Sequence, residues 1–438
     1  MKKFFMPFLF VGSALVWGQQ IEFEEYTLPN GLHVILHQDN STPVVTTGVM
    51  YHVGSKDEQV GKTGFAHFFE HLLFEGTTNI KRGEWFKIVS ANGGNNGADT
   101  SQDRTYYYEN FPSNKLEMGL WMEADRMRQP IINQIGVDTQ KEVVKEEKRY
   151  RLDNSPYGKF YYGGAIVPHI FKKSGYRWDI IGSFEDLNSA KLEDFKYFSQ
   201  KYYVPNNAVL VVAGDFKKDE AKRLIDKYFG VIPRGKDVIK EVITEDPITK
   251  EIRVTEYDAN IQIPLLVIGY RTPGFRSKDI YALNILSNYL KKGKSSVLYK
   301  KYIDDKKYAL QILNRDFTLE DYTIFSLAIL PKENVSFEKL ENELQLDIEK
   351  IQKELISEED YQKILNSIEN DIISSKSRME YLTEALAHAY ILEGNTNNIN
   401  EELKNYKSVT REDLRDFAKK YFNKNQRLIL HYLPEAKK

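Results

Sequence analysis

Apolar and polar residues follow two different periods along this chain, and the switches between them mark out elements. "LHVILHQD" from Leu32 and "PVVTTGVMYHV" from Pro43 are short apolar runs rich in β-branched residues, and they predict adjacent strands. "GFAHFFEHLLFEG" repeats its apolar residues with helical spacing between Gly64 and Gly76, which predicts a helix. "DTSQDRTYYYENFP" from Asp99 predicts a strand, "NKLEMGLWMEADRM" from Asn114 a helix, and the run from Asp138 to Arg151 another helix. Strands from distant segments joined by helices predict an α+β fold: a mixed, mainly antiparallel sheet with helices packed on one side.

The pattern occurs twice. "LEDFKYFSQKYYVPNNAVLVV" begins at Leu192 and "REDLRDFAKKYFNKNQRLILH" at Arg411. An offset of 219 lays Asp194 on Asp413, Phe198 on Phe417, Tyr202 on Tyr421 and Asn206 on Asn425. Each copy reads as an amphipathic helix, an Asn-rich turn and an apolar strand. "PVVTTGVMYHVGSKDE" from Pro43 is echoed by "PLLVIGYRTPGFRSKD" from Pro264, at nearly the same offset. Two such echoes predict two homologous domains, residues 19–232 and 250–438, joined by a polar, proline-bearing linker at 233–249.

Composition narrows the classes. A chain of 438 residues is long for one core, consistent with two domains. A net charge of −2 offers no basic stripe for nucleic acid. The 28 tyrosines, lacking a basic groove, read as packing residues. The start "MKKFFMPFLFVGSALVWGQQ" has Lys2 and Lys3 ahead of an uncharged apolar run, then Val16 and Gly18 at cleavage-site spacing. That predicts a signal peptide over residues 1–18 and export to the periplasm or beyond. A retained anchor is the alternative, although a membrane span needs about 20 apolar residues. No later stretch is apolar enough to span. There is no cysteine, which removes disulfides and cysteine lipidation.

The chemistry centres on "HFFEH", residues 67–71, which holds two of only eight histidines. Residues four apart share a helix face, so His67 and His71 can aim both imidazoles at one ion, with Glu70 beside them. Zinc accepts imidazole nitrogen, a catalytic site keeps one position for water, and a nearby carboxylate can take that water's proton. His-x-x-Glu-His is the inverted form of a known zinc-peptidase signature. Chance produces such a match about once in a hundred chains of this size. His33 and His37 are also four apart, but they sit in an apparent strand and are not read as ligands. A catalytic zinc needs a third protein ligand. "QKEVVKEEKRY" carries Glu142, Glu146 and Glu147 on a helix, and by composition alone it is a solvated charged face.

Taken in order, these motifs resemble the pitrilysin (insulinase) family of zinc peptidases. The resemblance is strongest to its half-length branch, that of the mitochondrial processing peptidase and its bacterial relatives. It is carried by "GFAHFFEHLLFEGT", "GGNNGADTSQDRTYYYENFP", "LEMGLWMEADRM", "KEVVKEEKR" and the long run from Gly175 to Phe216. It implies the processing-peptidase-like metallohydrolase fold and endopeptidase activity. It implies one zinc held by His67, His71 and Glu147, with Glu70 as general base. Family members often place an acidic residue seven before the third ligand; here that position is Gln140. An edge strand that pairs with substrate backbone falls on Asn96, Gly97 and Ala98, and Gly97 stands where Asn is common. The family's inactive half supplies an Arg and a Tyr to the site. The matching positions here are Ile303 and Leu310; Lys301 and Tyr308 keep the spacing but lie two residues out of register. The resemblance therefore implies a peptide substrate and a related zinc-less partner subunit carrying the Arg/Tyr pair. The second-half counterpart of HFFEH falls near residues 283–292, without histidine or acid. The rival expectation is a non-catalytic structural or assembly subunit of the same fold.

Overall fold

The computed structural model describes residues 20–241 and 243–435; the expected signal segment, residues 1–18, lies outside them. Strands β1 Glu24–Thr27, β2 His33–Gln38, β3 Val44–Tyr51, β4 Asn95–Thr100, β5 Thr105–Pro112 and β6 Ala208–Gly214 form one sheet, ordered β1-β2-β6-β3-β5-β4. Strands β7 Ile252–Asp258, β8 Leu265–Pro273, β9 Ala309–Leu313, β10 Phe317–Thr318, β11 Tyr322–Pro331 and β12 Arg427–Pro434 form the other. Its order is β10-β11-β8-β12-β7, with β9 also paired to β11. Among the described residues every pairing is antiparallel except β2 with β6 and β7 with β12. The two sheets thus share one plan. A late strand (β6 or β12) is inserted between an early parallel neighbour and an antiparallel one.

The internal echo has a structural counterpart. The helices Leu192–Tyr202 and Arg411–Tyr421 begin 219 residues apart, as do β6 and β12 that follow them. Two expectations differ. β2 and β3, expected to be adjacent, are separated by β6, which pairs with both because a strand from much later in the chain is inserted between them. "DTSQDRTYYYENFP" is not one strand but the closing part of a hairpin, β4 turning into β5. The Ser101 hydroxyl accepts the N–H groups of Asp103 and Arg104 and bends the chain there.

Each half packs its own helices on one face of its sheet. Val34, Val49, Tyr107 and Leu210 of the first sheet meet Phe65, Phe69 and Leu120 there. The second face is covered by the other half. Ile35, Met50, Tyr106 and Val209 point away from their own helices and bury Leu382, Leu386 and Ala387, from the second-half helix Met379–Ile391. In return Phe160, Ile166, Val167 and Ile170 of the first half cover Leu265, Val267, Ala328 and Leu430 of the second sheet. Strands buried on both faces are apolar at nearly every position, which explains the unbroken run "AVLVVAG" of β6. A fully buried Leu or Ile contributes about 1.5–3 kcal/mol, so this exchange joins the halves as a core does. The connection at 233–249 also lies against the first half. Lys240 Nζ sits 3.1 Å from Asp57, and the Glu245 carboxylate accepts the N–H groups of Lys172, Lys173 and Ser174.

Candidate metal centre

The Phe65–Leu72 helix begins where Gly64 turns at φ +86, and a Cβ on Gly64 would lie 2.1 Å from the Ile181 carbonyl oxygen. Only glycine fits that start. The buried Glu58 carboxylate accepts the Gly64 and Ala66 N–H groups at 2.8 Å each and satisfies donors the first turn leaves open. Tyr107 on β5 donates to the Phe69 carbonyl at 3.1 Å and ties the other end of the helix to the sheet. The helix Gln134–Lys148 starts at Asn133, whose side chain accepts the Gly136 N–H, and it crosses the first helix.

At that crossing His67, His71 and Glu147 converge, with ligand atoms all within 4.8 Å of one another. His67 Nε2 lies 3.5 Å from one Glu147 oxygen and His71 Nε2 lies 3.1 Å from the other. Four donors bound tetrahedrally at about 2.0–2.1 Å from zinc stand about 3.3 Å apart, so the spacing suits that ion. Glu146 points outward, where Arg149 pairs with it at 2.9 Å. Arg151 reaches Glu147 from the solvent side at 3.0 Å. Burial pushes the Glu147 carboxyl up, but hydrogen bonds and charge from the two imidazoles outweigh it and hold it well below the usual carboxylate range.

The hydrogen bonds around His71 also select its tautomer. Glu75 can only accept, so Gln140 turns its NH2 group toward it, at 2.6 Å. The Gln140 carbonyl oxygen then faces His71 Nδ1 at 3.2 Å, and that nitrogen must carry the proton. That leaves Nε2 to face a Glu147 oxygen at 3.1 Å, where either a proton or a metal cation can lie between the two acceptors. Glu75 is in turn paired with Arg82. Gln140 thus stands between His71 and a carboxylate one residue further out, which the sequence alone did not reveal.

Thr100, at the end of β4, was also missed. Its hydroxyl donates to Glu70 Oε2 at 2.6 Å. β4 is the free edge of its sheet and carries Asn96, Gly97 and Ala98. Ala98 packs on the core side, and the Asn96 NH2 group is buried with no partner among the described residues. Gly97 lies under Tyr108, where a Cβ would come 2.7 Å from the phenol oxygen, so a larger residue there would need that ring to move.

The other histidines have partners of their own. His33 stacks on Tyr390 at 3.6 Å, and His37 Nδ1 donates to the Glu22 carbonyl at 2.7 Å. In the second half Ile303 is packed against the core, and Leu310 is 49% exposed on β9. Leu310 lines a cavity of about 1010 Å³. Lys301 is held by Asp347 at 2.6 Å and Glu343 at 3.2 Å, while Tyr308 lies under Lys339.

Comparison with known proteins matches residues 33–156 to the insulinase family model (peptidase family M16) and residues 189–368 to the peptidase M16 inactive domain. The chain is 30% identical over 418 residues to the zinc protease PqqE of Helicobacter pylori, covering 94% of this chain and 93% of that one. It is 27% identical over 305 residues to the uncharacterized zinc protease YmxG of Bacillus subtilis, covering 68% of this chain and 71% of that one. The crystal structure of a protease from Helicobacter pylori superposes with a TM-score of 0.89 at 30% identity, over 95% of this chain and all of that one. A putative M16-like peptidase from Alicyclobacillus acidocaldarius shares the fold, with a TM-score of 0.79 at 19% identity, over 94% of this chain and 98% of that one. With an insulinase-type domain followed by an inactive-type domain, and with a half-length relative matched almost end to end, the chain belongs to the insulinase family of peptidases, family M16.

Proposed function

We propose that this chain is a zinc metalloendopeptidase that hydrolyses peptides or small unfolded proteins in extended conformation. The observation that carries the reading is the convergence of two imidazoles and one carboxylate within 4.8 Å, beside a second carboxylate on the same helix. His67, His71 and Glu147 would hold one zinc per chain. Zinc bound there supplies a Lewis acid and makes a water acidic enough to lose its proton near neutral pH. Glu70 takes that proton as the water attacks the scissile carbonyl and then passes it to the leaving amine. Thr100 occupies one Glu70 oxygen and leaves the other to carry the proton. Asn96, Gly97 and Ala98 align the substrate by backbone pairing along the β4 edge, which fixes an extended chain with little side-chain selection. Relatives named as zinc proteases support the reading. A non-catalytic subunit has little need of all four residues in working geometry.

Metal analysis of the purified chain should give one zinc. Glu70→Gln should keep it and lower kcat by about 10²–10⁴-fold. Undiminished hydrolysis by Glu70→Gln would remove Glu70 as the base.

We further propose that the chain is exported, on the pattern of residues 1–18, and that it works as the zinc-bearing half of a heterodimer. Ile303 and Leu310 cannot donate hydrogen bonds to a developing oxyanion, and Lys301 is occupied by two carboxylates. A related zinc-less partner would supply an Arg/Tyr pair. Strong hydrolysis by the isolated chain, unchanged on adding such partners, would rule the heterodimer out. Peptidase activity appearing only on mixing would support it. N-terminal sequencing of the mature protein tests export.

A further inference from the structure

The turn that ends β4 is gripped by the second half at two adjacent residues. Arg104 Nη1 donates to the Asp99 carbonyl at 3.0 Å and pairs with the Asp99 carboxylate; its Nη2 reaches Glu384 Oε1 at 2.6 Å. Glu384 belongs to the helix Met379–Ile391, which covers the outer face of the first sheet. Next to Arg104, the Asp103 carboxylate accepts the Glu320 N–H of the second half at 2.9 Å and faces Lys56 at 2.8 Å. Both Arg104 and Asp103 are buried. Successive strand residues alternate faces. Asp99 therefore turns toward the second half, and Thr100 turns toward the Phe65–Leu72 helix, where its hydroxyl meets Glu70 at 2.6 Å. Polar contacts link Glu384 to Arg104 and Arg104 to Asp99; the peptide bond joins Asp99 to Thr100, whose hydroxyl meets Glu70.

We propose that Arg104 is a positioning residue: by clamping Asp99 to Glu384 it holds the end of β4 where Thr100 can orient the Glu70 carboxylate, so the second half sets the geometry of the base. This rests on the reading of Glu70 as general base. An edge strand has ladder bonds on one side only; beyond β4 backbone bonds from Ser55 and Lys56 hold Ser101 and Gln102, and Arg104 holds Asp99 on the face away from Glu70. A shift of about 1 Å at a reacting group can cost about a hundredfold in rate. Among the described residues no contact joins Arg104 to the proposed ligands or to Glu70, so any effect it has on the base is indirect, and Thr100 is the nearest route.

The test uses the whole chain, together with its partner subunit if hydrolysis requires one. In the metal-free protein, hydrogen exchange should accelerate at residues 96–101 in Arg104→Met by about tenfold or more, while β6 keeps its protection. An exchange pattern identical to that of the parent protein would overturn the clamp. In the zinc-loaded protein, Arg104→Met and Thr100→Val should each lower kcat on a quenched-peptide library by about tenfold or more, with KM within about twofold and zinc content unchanged. Thr100→Ser should restore the rate, because it keeps the donor. The double variant should lose no more than Thr100→Val alone, because both act on one path. Multiplying losses, or failure of Thr100→Ser to rescue, would overturn the proposal. Should Arg104→Met fail to fold, Glu384→Ala must show the same exchange and kcat pattern, and Glu384→Gln, which keeps an acceptor, must stay near the parent. Full activity in Glu70→Gln would sink the base itself; an inactive Glu70→Gln beside a fully active Thr100→Val would sink only the positioning path.

Discussion

The two halves follow one plan, yet they treat the helix after the antiparallel neighbour of the inserted strand (β3 or β8) differently. In the first half the helix after β3 aims His67 and His71 at Glu147, so three ligand atoms converge within 4.8 Å. In the second half the helix Asp279–Lys291 after β8 buries Lys291 instead. Its ammonium meets Asp316 at 2.5 Å and the Ser326 carbonyl at 2.6 Å, over the Phe325 ring. Ser287 completes the cluster with a 2.9 Å bond to Asp316. Burial pushes the Lys291 ammonium's pKa down, against the pull of Asp316. A buried carboxylate needs a compensating charge. The second half meets that need with Lys291 alone, whereas in the first half Glu147 has Arg151 on its solvent side and the two imidazoles on the other, the side where we propose that the metal binds. On one scaffold, a lysine on the helix makes a structural cluster, and two histidines at helical spacing make a candidate metal centre.

The contrast can be broken most severely at Glu147. Glu147→Ala should abolish stoichiometric zinc and, with it, hydrolysis, while Glu146→Ala leaves both intact; metal analysis of the two variants decides, and the opposite result would overturn the register of the third ligand. The counterpart in the second half is Lys291→Met, which should cost about 3 kcal/mol by stranding Asp316, with zinc retained. Denaturant unfolding checks this, and adding Asp316→Asn should recover part of the loss. The seam shared by both halves is probed by Leu386→Ala, at 0% exposure. It should destabilise by about 2–5 kcal/mol, read as a lower urea midpoint, because it opens a cavity against the first sheet. The smallest effect belongs to Gln140→Leu. With the proton on His71 Nδ1 unanchored, zinc affinity should fall about tenfold in competition with a chelator, without loss of fold.

Much of the site was legible because its chemistry is local. His67, Glu70 and His71 lie within five residues on one helix, and a helix places side chains by arithmetic. Glu147 needed a resemblance, since nothing in "QKEVVKEEKRY" separates it from Glu142 or Glu146. Thr100, Glu58 and the Gln140–Glu75 contact were not legible, because each is a meeting of segments far apart in sequence and made of residues that are common everywhere. The hairpin at residues 101–104 was signalled by Ser101 with Asp103, but the aromatic run after it dominated the pattern.

Several first-half elements, the duplication at an offset of 219 and the zinc-type signature were written in the sequence, because periodicity and motif spacing act over one or two turns of chain. Tertiary structure alone decided that each half covers the other's sheet. An apolar run such as "AVLVVAG" announces burial on both faces but cannot name the surface that buries it. The same holds for the tautomer of His71 and the anchoring of Glu70. Both depend on which way a side chain on another element points, and that direction exists only once the elements have packed.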